Sequence, residues 1–325
     1  MSTQIGHKVT VMEESTSTSP ASTGIKKNLS RRILLLVLIG LVVFAWGFNR
    51  EPADSTKPIA FHGTPQYVTL PKHTIRVGTF NIHAGKGLDG VRDLGRTSQL
   101  MRGLNLDLVI MQEVLTRSFR IARDQADVIG NELQMASLFV PAERRWWHNS
   151  YGNAVLTRIG STGFHRLPLI TTKWRKFRTA ILFNVPHEGR IIHFLMVHLD
   201  KGDEGRHQLD SICDLFLSLS EPAVLLGDLN TKKDVPRLKA LLAESSVTDF
   251  ITDGIRDCPK GKGVDWIIAR GLRFAKFGSV VNDVSDHPLV WAEMELSTSP
   301  QTTDALAIKA QWLQNASREV DSVKR

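Results

Sequence analysis

Residues 223–231 read AVLLGDLNT, and this stretch decides how the rest of the chain is interpreted. Four apolar residues lead into a glycine and then into Asp228 and Asn230. This order is typical of a buried strand whose carboxyl end presents polar side chains at the edge of a sheet. Because residues two apart on an extended segment share a face, the carboxylate and the amide should converge on one point. Such a pair suits a hard cation, or a water beside a phosphate oxygen, although an ordinary turn uses the same residues.

The composition is that of one large folded domain with appendages. The chain has 325 residues, of which 42% are hydrophobic and 23% are charged, and its formal net charge is +8. These values exclude a compositionally disordered chain and favour anionic partners such as nucleic acid, phospholipid or other phosphates. The two cysteines, Cys213 and Cys258, match no zinc or CxxC spacing, so we expect no zinc site. Unpaired, inert thiols are favoured over a disulfide between them.

The N-terminal part predicts a tail, an apolar segment and a linker. Residues 1–32 are basic and rich in Ser and Thr, which predicts a disordered tail. Residues 33–48 form an uncharged apolar run behind basic residues, which predicts an uncleaved transmembrane signal anchor with the catalytic domain outside the cytoplasm. A cleaved signal peptide that releases a secreted protein is the alternative. Residues 49–72 contain four prolines and are predicted to be a linker.

Residues 73–297 predict one folded domain of mixed strands and helices. Apolar strands are expected at 74–80, 106–111, 153–156, 179–185, 191–197, 264–269 and 289–296, besides the one that starts at Ala223. Helices are expected at 91–104, 118–133, 205–219 and 235–243. This alternation predicts a layered α/β or α+β architecture. Residues 298–325 form a polar C-terminal extension, in which 303–323 predict a peripheral helix.

Other predicted strand ends carry polar residues of the same kind. Asn81 ends IRVGTFNIH, Glu113 ends DLVIMQEV, and His198 ends FLMVHLD, while Asp286 and His287 precede the last strand in VSDHPLV. Each has an ordinary alternative: a turn residue, a helix-capping carboxylate, a satisfied core histidine, or an Asx turn. Their recurrence at strand ends favours a common site.

In this order, the segments TFNIH, QEV, GNAVLTR, VHLD, GDLN, VDWII and SDHPLV resemble the endonuclease/exonuclease/phosphatase superfamily. That superfamily includes deoxyribonuclease I, abasic-site endonucleases, neutral sphingomyelinases and inositol-phosphate phosphatases. The resemblance covers roughly residues 74–296. It implies a four-layer sandwich of two mixed β-sheets flanked by helices, and a hydrolase that acts on phosphate esters with Mg²⁺, or alternatively Mn²⁺.

The resemblance also implies which residues bind metal and water. Asn81, Glu113 and Asp286 would be metal ligands, because oxygen donors suit a hard cation that keeps several waters. Asp228 and Asn230 would position the attacking water and a phosphate oxygen.

The histidines and the phosphate contacts are implied in the same way. His198 would protonate or stabilise the leaving oxygen. His287 would be a general base or a phosphate contact, with its tautomer fixed by Asp265. Asn153 and Arg178 would approach the substrate phosphate, although a turn amide and a solvated strand-edge charge explain them equally well.

Two segments combine cations with aromatic residues: RRWWH at 144–148 and KWRKFR at 173–178. They could stack on bases beside a phosphate backbone, insert at a membrane interface, or pack as half-buried surface residues. Hydrolysis of nucleic acid is our first expectation. The alternatives are a membrane-proximal, sphingomyelinase-like phospholipid phosphodiesterase, an inositol-phosphate phosphatase, and a catalytically inactive binding domain. No protein partner is predicted, and the membrane would be reached through the N-terminal helix.

Overall fold

The computed structural model of the chain describes residues 21–47, 51–53, 59–63, 73–116, 124–145, 148–169, 177–253 and 262–297. The contacts between residues divide the chain into two units, residues 1–49 and residues 50–325.

The first unit contains helix α1 (Ala21–Gly47). The helix covers most of the predicted apolar run, and it also includes residues 21–32, which the sequence places in the tail. Its large apolar side chains between Ile33 and Phe44 are exposed. Among the described residues, no helix is both long and apolar enough to cross a membrane.

The second unit contains the remaining elements. Its helices, within the described ranges, are α2 (Leu94–Arg102), α3 (Gln125–Leu133), α4 (Gly202–Ser218) and α5 (Pro236–Leu242), with a short 3₁₀ turn at His83–Gly85. Its strands are β1 (Glu51–Pro52), β2 (Thr74–Asn81), β3 (Leu108–Leu115), β4 (Ala136–Arg145), β5 (His148–Thr157), β6 (Gly163–Leu169), β7 (Arg178–His187), β8 (Arg190–His198), β9 (Ala223–Asp228), β10 (Val247–Thr252), β11 (Asp265–Arg270), β12 (Leu272–Val280) and β13 (Leu289–Leu296). Each strand and helix predicted within residues 73–297 is present with shifted ends, whereas β1, β4, β6, β10 and β12 have no counterpart in the prediction.

The described strands form two mixed sheets. One has the order β1-β4-β5-β3-β2-β13-β12 and the other the order β10-β11-β9-β8-β7-β6. The pair β2 and β3 and the pair β8 and β9 are parallel, and the neighbours that flank them are antiparallel.

Three hydrophobic clusters define the layers. The first lies between the sheets and contains Val77 and Ile110 of one sheet with Phe183 and Phe194 of the other. The second packs the six-stranded sheet against α4 and α5, and the third packs the seven-stranded sheet against α2 and α3. Each fully buried side chain of this size contributes about 1.5–3 kcal/mol to folding. The result is a sandwich of two mixed sheets flanked by helices, as predicted.

Parts of the predicted linker pack on this sandwich. Strand β1 pairs with β4, and His62 forms a bridge with Ser137. The ring of Phe61 lies edge-on to Phe164 and Phe183, at centroid distances of 5.9 and 6.1 Å. The segment is therefore more than a spacer, because its apolar residues reach the core between the sheets.

The cysteine prediction is confirmed for Cys213, which is free and buried. Burial raises the pKa of its thiol to about 12, so it is unreactive at neutral pH. Cys258, the extension 298–325 and its predicted helix lie outside the described residues.

Candidate active site

Parallel strand ends bring predicted site residues to one edge of the sandwich. In the seven-stranded sheet, Asn81 at the end of β2 pairs in register with Gln112 of β3, and Glu113 follows. In the six-stranded sheet, His198 at the end of β8 pairs with Asp228 at the end of β9. The carboxyl ends of parallel strands lie at the same edge of a sheet, so each pair of side chains is adjacent.

Two antiparallel neighbours add further side chains to this edge. Strand β11 begins at Asp265, which pairs in register with Asp228. Strand β13 runs antiparallel to β2 and begins shortly after His287. Asp265 and His287 therefore reach the site from different sheets.

The glycine of the GDLN motif is required by the close approach of two strands. Gly227 has φ 142°, and an ideal Cβ built on it would lie 1.9 Å from the carbonyl oxygen of Val197. That oxygen belongs to the backbone of β8, so no side-chain rotation could relieve the overlap. The glycine thus lets β9 run close to β8 and sets Asp228 beside His198.

Asp228 lies at the centre of the site and is 1% exposed. Its Oδ2 accepts a hydrogen bond of 3.1 Å from Nδ2 of Asn81, and it lies 3.5 Å from Nε2 of His198 and 3.9 Å from Nε2 of His287. Its Oδ1 accepts from the backbone N–H of Asn230 at 2.9 Å. Burial raises the pKa of Asp228, and the charge of His287 and these hydrogen bonds oppose that rise.

His287 and Asp265 form a buried pair. The distance from Nδ1 of His287 to Oδ2 of Asp265 is 2.6 Å, and the other Asp265 oxygen has no hydrogen-bond partner in the described structure. Burial disfavours the imidazolium, but the hydrogen bond and charge of Asp265, with the charge of Asp228, outweigh it and raise the pKa of His287 to about 9. Burial and the charge of Asp228 also raise the pKa of Asp265, to about 8, so the two residues titrate as a pair and share the proton between Nδ1 and Oδ2 at neutral pH.

Arg178 fixes the tautomer of His198. Nη1 of Arg178 lies 3.0 Å from Nδ1 of His198, and Arg178 is only 5% exposed. A guanidinium donates and never accepts, so Nδ1 must be the acceptor and the ring proton sits on Nε2. Nε2–H then points toward Asp228. Arg178 is thus buried beside His198 rather than a solvated charge, and its contact with the substrate phosphate stays a prediction.

Two residues around Arg178 have no role in the sequence interpretation. The Arg178 guanidinium donates to the hydroxyl of Tyr151 at 3.2 Å and lies 3.7 Å from Oδ1 of Asp200. The sequence does carry a signal for Asp200, which stands two residues after His198 in VHLD. No sequence signal links Tyr151 to Arg178, because their strands belong to different sheets.

Two predicted amides have structural partners. Nδ2 of Asn153 donates to the carbonyl of Thr179 at 3.0 Å and so joins β5 to β7. Nδ2 of Asn230 donates to the carbonyl of Leu199 at 2.8 Å, and Asn230 has φ 46°. The side chain of Asn230 therefore holds the ends of β8 and β9 together, while its backbone N–H contacts Asp228.

Glu113 lies at a bulge, where the register of β3 with β5 shifts between Met111 and Val114. It has φ 58°, a left-handed conformation that costs about 1–3 kcal/mol for such a residue and is frequent at functional sites. Its carboxylate is half-buried, and no described residue hydrogen-bonds to it. These properties fit a metal ligand next to Asn81 on the adjacent strand.

A second group of possible metal ligands also lies close together. One ligand atom from each of Asp228, Asp265 and His287 can lie within 4.8 Å of the others, which is compatible with a metal ion. Nδ1 of His287 is already bound to Asp265, so this imidazole could offer only Nε2 to such an ion.

Asp286 lies at the margin of the site rather than beside Asp228. Its side chain is 41% exposed, with Oδ2 2.8 Å from Nζ of Lys262 and Oδ1 3.7 Å from Nδ1 of His83. Burial acts to raise its pKa, but Lys262 and His287 lower it below the usual value. The carboxylate is thus ionised and already paired, so among the described contacts it does not join the donors of Asn81 and Glu113.

Most of the two cation-aromatic segments lies outside the described residues, including Trp146, Trp147 and residues 173–176. Arg178, the last residue of the second segment, begins β7 and contacts Tyr151, which lies in β5 three residues after the first segment.

Comparison with known proteins identifies the group to which this geometry belongs. The Endonuclease/Exonuclease/phosphatase family model matches residues 78–287. No curated protein matches the chain.

Similar solved structures share the fold. One is an endonuclease/exonuclease/phosphatase from Beutenbergia cavernae DSM 12333, with 20% identity, a TM-score of 0.57, and coverage of 71% of this chain and 74% of that one. The human Nocturnin catalytic domain with bound sulfate anion has 15% identity and a TM-score of 0.53, over 74% and 98% of the two chains. D. rerio TDP2 complexed with single strand DNA product has 14% identity and a TM-score of 0.53, over 69% and 100%. The family match spans more than half of the sequence, so the chain belongs to the endonuclease/exonuclease/phosphatase family.

Proposed function

We propose that this member of a family of phosphate-ester hydrolases is a divalent-metal-dependent phosphodiesterase that acts on nucleic acid. The observation that carries the proposal is the buried carboxylate of Asp228, which is surrounded by Asn81, His198 and His287 at the edge where both sheets end. A fold has no need to bury this set of polar groups around one oxygen, since each burial costs free energy.

In the proposed reaction, Asp228 accepts a proton from the attacking water at Oδ2. Its raised pKa makes it a better base than an exposed carboxylate, and Asn81 fixes its orientation through a 3.1 Å hydrogen bond. Because Nδ1 of His287 shares its proton with Asp265, Nε2 is the nitrogen that would donate to a phosphate oxygen.

His198 and Arg178 would act on the leaving side. Nε2–H of His198 donates into the site, and Arg178 holds the ring from behind through Nδ1. Together they stabilise negative charge that develops on the phosphate and on the leaving oxygen.

Glu113 and Asn81 would hold the cation, for which we propose Mg²⁺, with Mn²⁺ as the alternative ion. When bound, it would neutralise the developing charge on the phosphate.

The proposed activity is tested by hydrolysis of bis-p-nitrophenyl phosphate with Mg²⁺ and with EDTA. We expect turnover that EDTA abolishes. No metal-dependent turnover on this ester, on DNA or on phospholipid would instead favour a binding domain that has lost catalysis.

Glu113→Gln should raise the Mg²⁺ concentration required for half-maximal activity by about tenfold or more, because it removes one anionic ligand and keeps the shape of the side chain. The measurement is a Mg²⁺ titration of phosphodiesterase activity. The matched control is Glu244→Gln, since Glu244 is exposed and remote from the strand ends. A wild-type titration curve for Glu113→Gln would remove Glu113 from the metal site.

Nucleic acid is the preferred substrate for three reasons. The net charge is positive, two cation-aromatic segments flank strands that end at the site, and Arg178 of one segment contacts His198. The TDP2 structure named above holds a single strand DNA product, and a related reaction here would agree with these features. A sphingomyelinase-like phospholipid phosphodiesterase is the second candidate, favoured by the exposed apolar side chains of α1.

Salt separates these two candidates. If about six phosphates are contacted, binding to nucleic acid should weaken on the order of a thousandfold between 50 and 200 mM salt, whereas action on a zwitterionic lipid should hardly change. The measurement compares nicking of supercoiled plasmid with hydrolysis of sphingomyelin vesicles. The test variant changes four cations of the two segments to Ala: Arg144, Arg145, Lys173 and Arg175.

A control variant with the same loss of charge changes four exposed cations elsewhere: Arg206, Lys239, Arg273 and Lys276. Nicking that resists both salt and the test substitutions would exclude the segments as a nucleic-acid groove. Lipid turnover without nicking would overturn the choice of substrate.

The membrane topology is a separate proposal, which rests on the apolar run 33–48 and the basic residues before it. If the run is an uncleaved anchor, the protein should keep its native N-terminus and stay with membranes after a carbonate wash. A soluble species that starts near Phe48 would show signal cleavage and secretion instead.

A further inference from the structure

Asp253 is not among the predicted site residues, but the backbone that it binds leads directly to that site. It follows the last residue of β10 and is fully buried. Its Oδ1 accepts from the backbone N–H of Val264 at 2.8 Å and of Asp265 at 3.1 Å, and its Oδ2 accepts from the N–H of Lys262 at 2.8 Å. A further hydrogen bond of 3.1 Å comes from the hydroxyl of Thr252.

The backbone that Asp253 holds carries two side chains of the site. Asp265 binds Nδ1 of His287, and Lys262 binds Oδ2 of the adjacent Asp286. By holding this backbone, the buried carboxylate of Asp253 therefore sets the directions from which Asp265 and Lys262 approach His287 and Asp286. The backbone N–H of Asp253 adds a hydrogen bond of 3.2 Å to the carbonyl of Asp265, which fixes the start of β11 on both sides.

We infer that Asp253 is a positioning residue for the reaction, acting by clamping the backbone at 262–265 so that Asp265 meets His287 at hydrogen-bond distance. This inference rests on the proposed function. An amide in place of the carboxylate has only one acceptor oxygen, so at least one of the three backbone N–H groups would lose its partner. The resulting displacement of Asp265 would be transmitted to the ring of His287.

The same strand provides a matched control. Asp249 also accepts two backbone hydrogen bonds, from Phe250 at 2.9 Å and from Phe274 of β12 at 3.0 Å, but it contacts none of the site residues. Asp253→Asn and Asp249→Asn therefore remove comparable backbone acceptors, and only the first should affect the site.

The experiment measures two properties of each variant in the full-length protein. The first is kcat and KM for bis-p-nitrophenyl phosphate. The second is the far-downfield proton resonance of the hydrogen bond between His287 and Asp265, assigned by its disappearance in His287→Gln. We expect Asp253→Asn to lower kcat by roughly 10- to 100-fold with little change in KM, and to shift or broaden the resonance. Asp249→Asn should keep both.

Several outcomes would overturn the inference. Asp253→Asn with wild-type kcat and resonance would show that the clamp is dispensable, and equal losses in Asp249→Asn would show a general effect on stability. If wild-type protein hydrolyses no phosphodiester, the proposed function fails, while the resonance still tests the positioning. If Asp253→Asn does not fold, Asp253→Ser is the second variant, because its shorter side chain leaves a single acceptor oxygen for the three backbone N–H groups; an unchanged resonance and kcat in that variant would also reject the clamp.

Discussion

Asp228→Asn should give a folded protein that hydrolyses phosphodiesters roughly 10²- to 10⁴-fold more slowly than the wild type. The amide cannot accept the proton of the attacking water at neutral pH. It also keeps one acceptor oxygen for the two hydrogen bonds that Asn81 and Asn230 now donate. The lost hydrogen bond costs about 1 kcal/mol, and relief of the buried charge offsets that cost, so the melting temperature should change little.

The measurement pairs kcat with calorimetric melting. The control is Asp234→Asn, which removes an exposed carboxylate from the same part of the chain and should alter neither quantity. If Asp228→Asn retains activity within about a factor of two, the general base lies elsewhere and His287 becomes the leading candidate.

Gly227→Ala should destabilise the protein by about 3–5 kcal/mol, a large part of the stability of a typical domain. The added Cβ would lie 1.9 Å from the carbonyl oxygen of Val197, and the φ of 142° is poorly tolerated by any other residue. Both penalties come from backbone geometry, so neighbouring side chains cannot relieve them by changing rotamer.

Urea unfolding followed by tryptophan fluorescence measures this effect. Gly163→Ala is the control in the same sheet, because nothing lies within 4 Å of its ideal Cβ, and its unfolding midpoint should match the wild type. An unchanged midpoint for Gly227→Ala would mean that β8 and β9 can separate without cost, which would contradict the close approach described above.

The sequence predicts the interior strands well because both of their faces are buried. Strand β9 is buried at every position, and its unbroken apolar run identifies it. Strands β6, β10 and β12 lie at sheet edges, where half of their residues face solvent. Strand β4 contains Pro141, and β6 contains Pro168, which are tolerated near an edge but conceal a strand from a reading of the sequence.

Strand pairing also explains which residues of the candidate site could be predicted from the sequence. Residues at the ends of paired parallel strands, such as His198 and Asp228, could be predicted to converge because pairing in a sheet fixes where those ends lie. Asp286 and His287 are consecutive, so their side chains diverge, and only His287 turns toward Asp228. Tyr151 could not be predicted, since its contact with Arg178 depends on how the two sheets pack.

The hydrogen bond between Asn81 and Asp228 and the one between His287 and Asp265 each join residues of different sheets. Neither sheet by itself holds a complete set of catalytic groups. A chain in which only one sheet has formed would therefore lack part of the proposed site, and we expect such a chain to be inert.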